Sequence, residues 1–320
     1  MKAIVQDTYG NADVLRFADV DRPPPGPGRL LVRVHAAGVD PGVWHLMTGL
    51  PLLVRPALGM RRPRLRVRGR DVAGTVEAVG AGVTRFEPGD EIFGAGDGTF
   101  AEYTLVREDR AARKPANLTF EQAATVPVSA CTALQALRDR GKVEKGQRVL
   151  VIGAGGGIGT FAVQLAKVFG THVTGVCSTG KADLVRELGA DDVIDYTREE
   201  IPAGRYDLVL DIAGNRSLAD VRRTLTPTGT LVLVGGEDGG RWLGGMERNL
   251  GALLLSPFVK HNLRGMFATE PASDLDVLRE LMEAGTVTPV LDRTFPLATA
   301  AEAIRYLHAG RARGKVVVVP

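Results

Sequence analysis

The chain has 320 residues, 44% of them hydrophobic and 24% charged, with a formal net charge of +3. At about 150 residues per domain this is enough for two domains, and the composition excludes a disordered chain, a coiled coil and a collagen-like repeat. Two cysteines, Cys131 and Cys177, exclude a disulfide framework and a cysteine-rich zinc module, and so mild a charge gives no reason to expect a nucleic-acid partner.

From its first residue the chain reaches the acidic Asp7 too early for a secretory signal, and no apolar run approaches the roughly 18 residues of a membrane helix. The expectation is a cytoplasmic protein with no membrane partner. Residues 1–120 are rich in short apolar runs, such as those at 30–34 and 74–79, separated by turn clusters at 23–28 and 87–90. That pattern predicts a small barrel or sandwich. Inside it, residues 55–70 gather seven arginines: Arg55, Arg61, Arg62, Arg64, Arg66, Arg68 and Arg70. They read either as a solvated loop face or as a basic lid over an anionic ligand.

The pattern changes near Phe120. Residues 120–140 are rich in Ala and Leu and predict a helix. Residues 148–152 form a continuous apolar run, as a strand buried on both faces requires, and residues 158–169 predict a helix ended by Gly170. Further strands are predicted at 172–176, 193–195, 206–210 and 230–234, with a helix at 181–188 stopped by Gly189. Strands and helices in alternation predict an α/β architecture with a parallel, doubly wound sheet. Beyond residue 270, a weak capping box at Ser273 and Asp276 opens a helix that stops at Gly285; a second helix follows at 300–308. Residues 315–319 predict a last strand completing an earlier sheet. The expected domains are residues 1–120, completed by 270–320, and residues 121–269.

The strongest local signal is the glycine turn from Gly153 to Gly159, which follows a predicted strand and opens a predicted helix. Its match to the dinucleotide fingerprint is offset, with Ala154 in the place of the first glycine and Gly156 and Gly159 in the others. Backbone without side chains admits a pyrophosphate closely, and the amides of Gly157, Ile158 and Gly159 at the helix start point toward it. NAD sites carry an acidic residue about 20 residues further on to hold the ribose. Here the second strand runs into Cys177 and Ser178 with no carboxylate, and Lys181 adds positive charge. A 2′-phosphate suits that pair, so the cofactor expected is NADPH. Cys177 reads as a small buried filler.

Several strings, taken with this turn, resemble a known family. They are Ala36-Ala37-Gly38-Val39-Asp40-Pro41, Gly69-Arg70-Asp71-Val72-Ala73-Gly74, Phe100-Ala101-Glu102-Tyr103, residues 83–90, 162–167 and 188–196, and Arg313-Gly314-Lys315-Val316-Val317. Together they resemble the medium-chain dehydrogenase/reductase superfamily, and within it the zinc-independent quinone oxidoreductase-like branch, over essentially the whole chain. The resemblance implies a GroES-like β-rich catalytic domain, a Rossmann NADP(H)-binding domain and a homodimer. It places Tyr196 beside the adenine-side phosphate, Thr132 and Phe267 on the nicotinamide side, and Lys315 within reach of the cofactor. The strand-end rule of such sheets adds Ala213 and Gly235. Zinc-dependent members carry ligands at positions that here hold Asp40, Arg70 and a residue near Val128, so no metal is expected. The branch commonly has Asn where this chain has Asp40 and Tyr where it has His45. His45 is the candidate proton donor, with a packed histidine beside Trp44 as the other reading. Asp40 is a candidate to orient substrate or water, or a turn-capping carboxylate.

These readings converge on a metal-free NADPH-dependent reductase of a quinone or enone. Two alternatives stay open. One is an alcohol dehydrogenase-like carbonyl reductase; the other is a weakly catalytic NADPH-binding protein with a structural or regulatory role.

Overall fold

Strand Arg29–Val39, eleven residues long, is the element on which the first structural unit is built. In the computed structural model, which describes residues 1–236 and 240–320, it pairs antiparallel with Asp71–Val79 on one side and Tyr103–Arg113 on the other. Strand Glu91–Asp97 joins those two neighbours, so the four strands close into a barrel. Leu30, Val32, Val34, Val72, Val76, Ile92 and Val106 fill its core. The last strand, Lys315–Val319, returns to pair with Val39, Gly38 and Ala37 and takes Leu291–Pro296 as a parallel neighbour. Its run of valines is buried because it lies between two strands. A closed barrel completed by the chain's final residues is the GroES-like architecture that the sequence led one to expect.

The second unit is a six-stranded, all-parallel sheet. Its strands lie in the order Asn262–Gly265, Leu225–Leu233, Tyr206–Asp211, Arg148–Ile152, His172–Cys177 and Asp192–Asp195. Numbered along the chain that order is 6-5-4-1-2-3, the doubly wound Rossmann topology, which reverses direction between Arg148–Ile152 and Tyr206–Asp211. Leu150, Ile152, Val209, Leu231 and Leu233 form its core with Tyr206 and Val221.

The chain divides into Met1–Cys131 with Thr269–Pro320, and Thr132–Ala268. The first break therefore falls after Cys131 rather than after residue 120. Phe120 stacks on His35 at 4.1 Å, and the Val128 amide donates to Asp71 Oδ1 at 2.8 Å, which ties this stretch to the barrel. The helix expected over 120–140 is divided into Phe120–Ala123, opened by a Thr119–Gln122 capping box, then Pro127–Gln135 and a π-helical turn, Ala136–Gly141. Pro127 interrupts the first segment because it has no amide to continue the helical ladder. The capping box expected at Ser273 does not form. The helix Ala272–Glu283 starts one residue earlier behind Pro271, without a side-chain cap. Helix Met246–Leu255 and strand Asn262–Gly265 have no counterpart in the sequence reading.

Lys315 is held inside the first unit. Its Nζ lies 3.0 Å from Asp71 Oδ2, and both residues are buried. The returning strand carries the lysine inward, and a buried ammonium takes the carboxylate that the barrel presents to it.

Candidate functional site

In the second unit the functional side chains and turns follow the carboxyl ends of the parallel strands. Three carbonyls there each take two amides from an adjoining turn. Val176 O accepts from Gly153 and Ala154, Ile152 O from Ile212 and Ala213, and Asp211 O from Val234 and Gly235. The Tyr196 amide donates to Cys177 O at 3.2 Å. This lacing sets Tyr196, the glycine turn, Ala213 and Gly235 along one edge, with the switch point between the glycine turn and Ala213. Phe267 follows the edge strand Asn262–Gly265 and is exposed, so it is not a core residue. Thr132 is buried within Pro127–Gln135, part-way along that helix rather than at its start.

The helix Gly157–Val168 begins behind Gly156 as its N-cap, with Gly156 in extended backbone. The first amides of a helix have no acceptor within it, so Gly157, Ile158 and Gly159 present theirs outward together with the positive end of the dipole. The glycines of the turn differ in what surrounds them. A methyl on Gly159 falls 2.1 Å from the Gly153 carbonyl, whereas one on Gly156 meets only that carbonyl, at 3.4 Å, and otherwise open space. Gly159 thus serves the packing of the turn and Gly156 leaves room for a ligand. An anion fits this cradle.

Beside it, the stem of Lys181 lies against Gly155, close enough that a methyl there would meet Lys181 Cβ at 2.8 Å. Ser178 precedes the short turn Thr179–Lys181, whose last amide donates back to the Ser178 carbonyl. Asp195, opposite Cys177 on the next strand, is engaged by the Thr179 and Thr197 hydroxyls, which hold its carboxyl below the usual range. Burial pushes the Cys177 thiol up, in keeping with a filler.

The first unit holds a second polar centre. Asp40 is the N-cap residue of helix Pro41–Thr48 yet makes no capping hydrogen bond with its side chain, and its Oδ2 is buried without a partner. Burial, followed by the neighbouring Asp71 charge, pushes its carboxyl up to about 6; Lys315, the Gly42 amide and Arg70 pull the other way. Arg70 is paired with the buried Glu270 at 2.5 Å. His45, on the same helix, places Nδ1 3.2 Å from the Leu50 carbonyl. A carbonyl only accepts, so Nδ1 carries the proton there. Trp44, next to His45 in the chain, stacks on His308 at 3.7 Å. Sequence reasoning missed Glu270 as a member of this centre, since no motif marks it; Asp71, in the Gly69-Arg70-Asp71 string, reads beside Asp40 as a structural or polarising carboxylate.

The alcohol dehydrogenase GroES-like domain family matches residues 26–116, and the zinc-binding dehydrogenase family matches residues 188–318. The mitochondrial NAD(P)H oxidoreductase RTN4IP1 of Mus musculus is 35% identical, over 99% of this chain and 89% of its own length. The chain belongs to the medium-chain dehydrogenase/reductase superfamily. The chloroplastic quinone-oxidoreductase QR1 of Triphysaria versicolor is 32% identical, over 100% of this chain and 98% of its own. Among solved structures, mycobacterial Rv1454c complexed with NADPH shares the fold with a TM-score of 0.84 at 27% identity, covering 100% of both chains. The chain is accordingly an oxidoreductase of this superfamily with a nicotinamide cofactor.

Members that bind zinc need about three donor side chains converging on the ion. Among the described residues no three His, Cys, Asp or Glu side chains do so. Around Asp40 the neighbouring donor, Asp71, is already bound to an ammonium. This donor set does not fit a zinc ion.

Two outcomes follow. Gly156→Val is expected to keep the wild-type melting temperature and lose at least tenfold in NADPH affinity by fluorescence titration, whereas Gly159→Val lowers both. Asp40 has a folded pKa of about 6 against about 3.9 unfolded, so its contribution to stability is present below pH 4 and lost as pH rises through 6. Relative to wild type, Asp40→Asn is expected to gain about 3 kcal/mol between pH 4 and 7 in urea denaturation. A difference that stays constant with pH excludes this ionisation.

Proposed function

We propose that this superfamily member is an NADPH-dependent reductase that delivers hydride to a quinone or an α,β-unsaturated carbonyl without a metal ion. The observation that carries the reading is the polar centre of the first unit, where Asp71 is bound to Lys315 and Asp40 remains a titratable acid. Carbonyl reduction of the alcohol dehydrogenase type depends on a strong electrophile at the oxygen, which this centre does not supply. Conjugate reduction needs only a donor for the developing enolate or hydroquinone oxygen. The names of the relatives from Mus musculus and Triphysaria versicolor support the same class.

The reduced nicotinamide, when bound, supplies the hydride. The amides of Gly157, Ile158 and Gly159 bind the pyrophosphate, and Ser178 and Lys181 take the 2′-phosphate, with Tyr196 alongside. Ala213 and Gly235 form the wall at the switch point. His45, oriented by the Leu50 carbonyl, delivers a proton as the imidazolium, and Asp40 holds a second titratable proton at the other end of the same helix. We further propose a homodimer. Strand Asn262–Gly265 is an open edge of the parallel sheet, and Leu250, Leu253, Leu254 and Phe258 near it are exposed.

The test is NADPH oxidation, followed at the nicotinamide absorbance, against quinones, enones and simple aldehydes with and without chelator. Chelator-insensitive turnover of quinones or enones is expected. Turnover of aldehydes abolished by chelator would favour the zinc alternative, and tight NADPH binding without turnover would favour the weakly catalytic one. In the same assay Lys181→Ala is expected to weaken NADPH at least tenfold and NADH less than twofold; equal losses would remove the 2′-phosphate assignment.

A further inference from the structure

The arginine-rich stretch after helix Pro41–Thr48 is not accounted for by the reading above. Residues 51–70 contain seven arginines and no acidic residue. The two carboxylates that the stretch engages, Asp7 and Glu270, are taken by Arg66 and Arg70. Among the described residues, Arg55, Arg61, Arg62, Arg64 and Arg68 have no carboxylate within ion-pair distance. Arg68 is 4% exposed, and its Nε and Nη2 are buried without a partner. Among the described residues its guanidinium makes one hydrogen bond, from Nη1 to the Leu46 carbonyl, 3.2 Å away. A guanidinium stripped of water and left without a counter-ion projects its field through low-dielectric surroundings, where charge acts further than in water.

The other arginines are gathered on the same side. Arg55 donates from Nε to the Gly49 carbonyl at 3.0 Å, and its guanidinium lies 4.6 Å from the Tyr9 ring. The next carbonyl, Leu50, is the one that holds His45, so His45 and Arg55 are anchored on consecutive peptide units. Arg64 and Arg68 act electrostatically on the same tyrosine as Arg55. A turn closed by the Arg64 amide on the Leu58 carbonyl, 2.9 Å, carries the exposed Arg61 and Arg62 at its tip. Compensation of the helix dipole explains the contacts of Arg68 and Arg55 with the carbonyls of the last turn and its cap. It does not explain Arg61, Arg62 and Arg64, which touch no carbonyl of that helix.

We propose that this loop is an anion-recognising site beside His45, and that the substrate carries a carboxylate or phosphate in addition to its conjugated carbonyl. The proposal rests on the reductase reading for the reacting half of the molecule. The arginines supply recognition of the other half: they draw a charged substrate toward the first unit and set its orientation relative to His45. Surface cations act over about 10 Å at 0.1 M salt and about 3 Å at 1 M, so the preference is salt-sensitive.

The test compares one enone in two charge states, (E)-4-oxopent-2-enoate and its methyl ester. Each takes one hydride from NADPH at the alkene and one proton, giving the saturated 4-oxo product and NADP+. The quantity read is the acid-to-ester ratio of kcat/KM, which cancels effects common to both substrates. In wild type it is expected to fall several-fold between 20 mM and 0.5 M salt, by about the amount that screening removes. In Arg61→Ala/Arg62→Ala/Arg64→Ala it is expected to fall about tenfold at low salt, and the corresponding triple lysine variant restores most of it. The alanine variant's melting temperature confirms that it is folded. A ratio unmoved by salt and by the triple alanine change, with both compounds reduced, overturns the anion site and leaves the reductase reading in place. If neither compound is reduced, calorimetric binding of the acid against the ester decides. Binding of the acid that the alanine variant loses retains the site, and equal or absent binding overturns it.

Discussion

The buried pair between Asp71 and Lys315 is the interaction on which the first unit depends. Its partners are 244 residues apart in sequence, one on a barrel strand and one on the strand that ends the chain. Burying two charges costs several kcal/mol each unless they meet each other, so neither can be accommodated without its partner. The pair therefore fixes the returning strand to the barrel, and Asp71 also accepts the Val128 amide, drawing the following helical stretch to the same point. One ion pair thus ties three separate stretches of chain together.

The pair also borders a titratable acid. Burial first, and then the neighbouring Asp71 charge, keep the Asp40 proton on to a higher pH than in an ordinary aspartate, while Lys315 pulls the other way. The centre therefore works with protons. Arg70 and Glu270 are paired at its margin, where Arg70 opposes the upward push on Asp40.

The arginine loop presents the opposite situation. There, among the described residues, cations stand without carboxylates: Arg68 is buried, and Arg55 is anchored on the carbonyl next to the one that orients His45. In the second unit the cradle that fits an anion is built from the backbone amides of a glycine turn. Peptide dipoles at the carboxyl edge of the parallel sheet there contrast with the guanidinium groups of the loop.

The sequence alone determined what is local. The alternation of buried strands and helices, the glycine turn at a strand–helix junction, and the absence of an acid after the second strand all follow from residues within a few positions of one another. The doubly wound sheet and its ligand edge were legible for that reason. So was the arginine run, although its neighbours were not. What required tertiary structure was every feature whose partners are distant: the capture of Lys315 by Asp71, the recruitment of Glu270, the attachment of residues 120–131 to the barrel, and the burial of Arg68. Strand Asn262–Gly265 escaped notice because its four residues, buried on one side only, carry too little periodicity to register. Charge partners depend on which strands the fold sets side by side, and no local pattern encodes that.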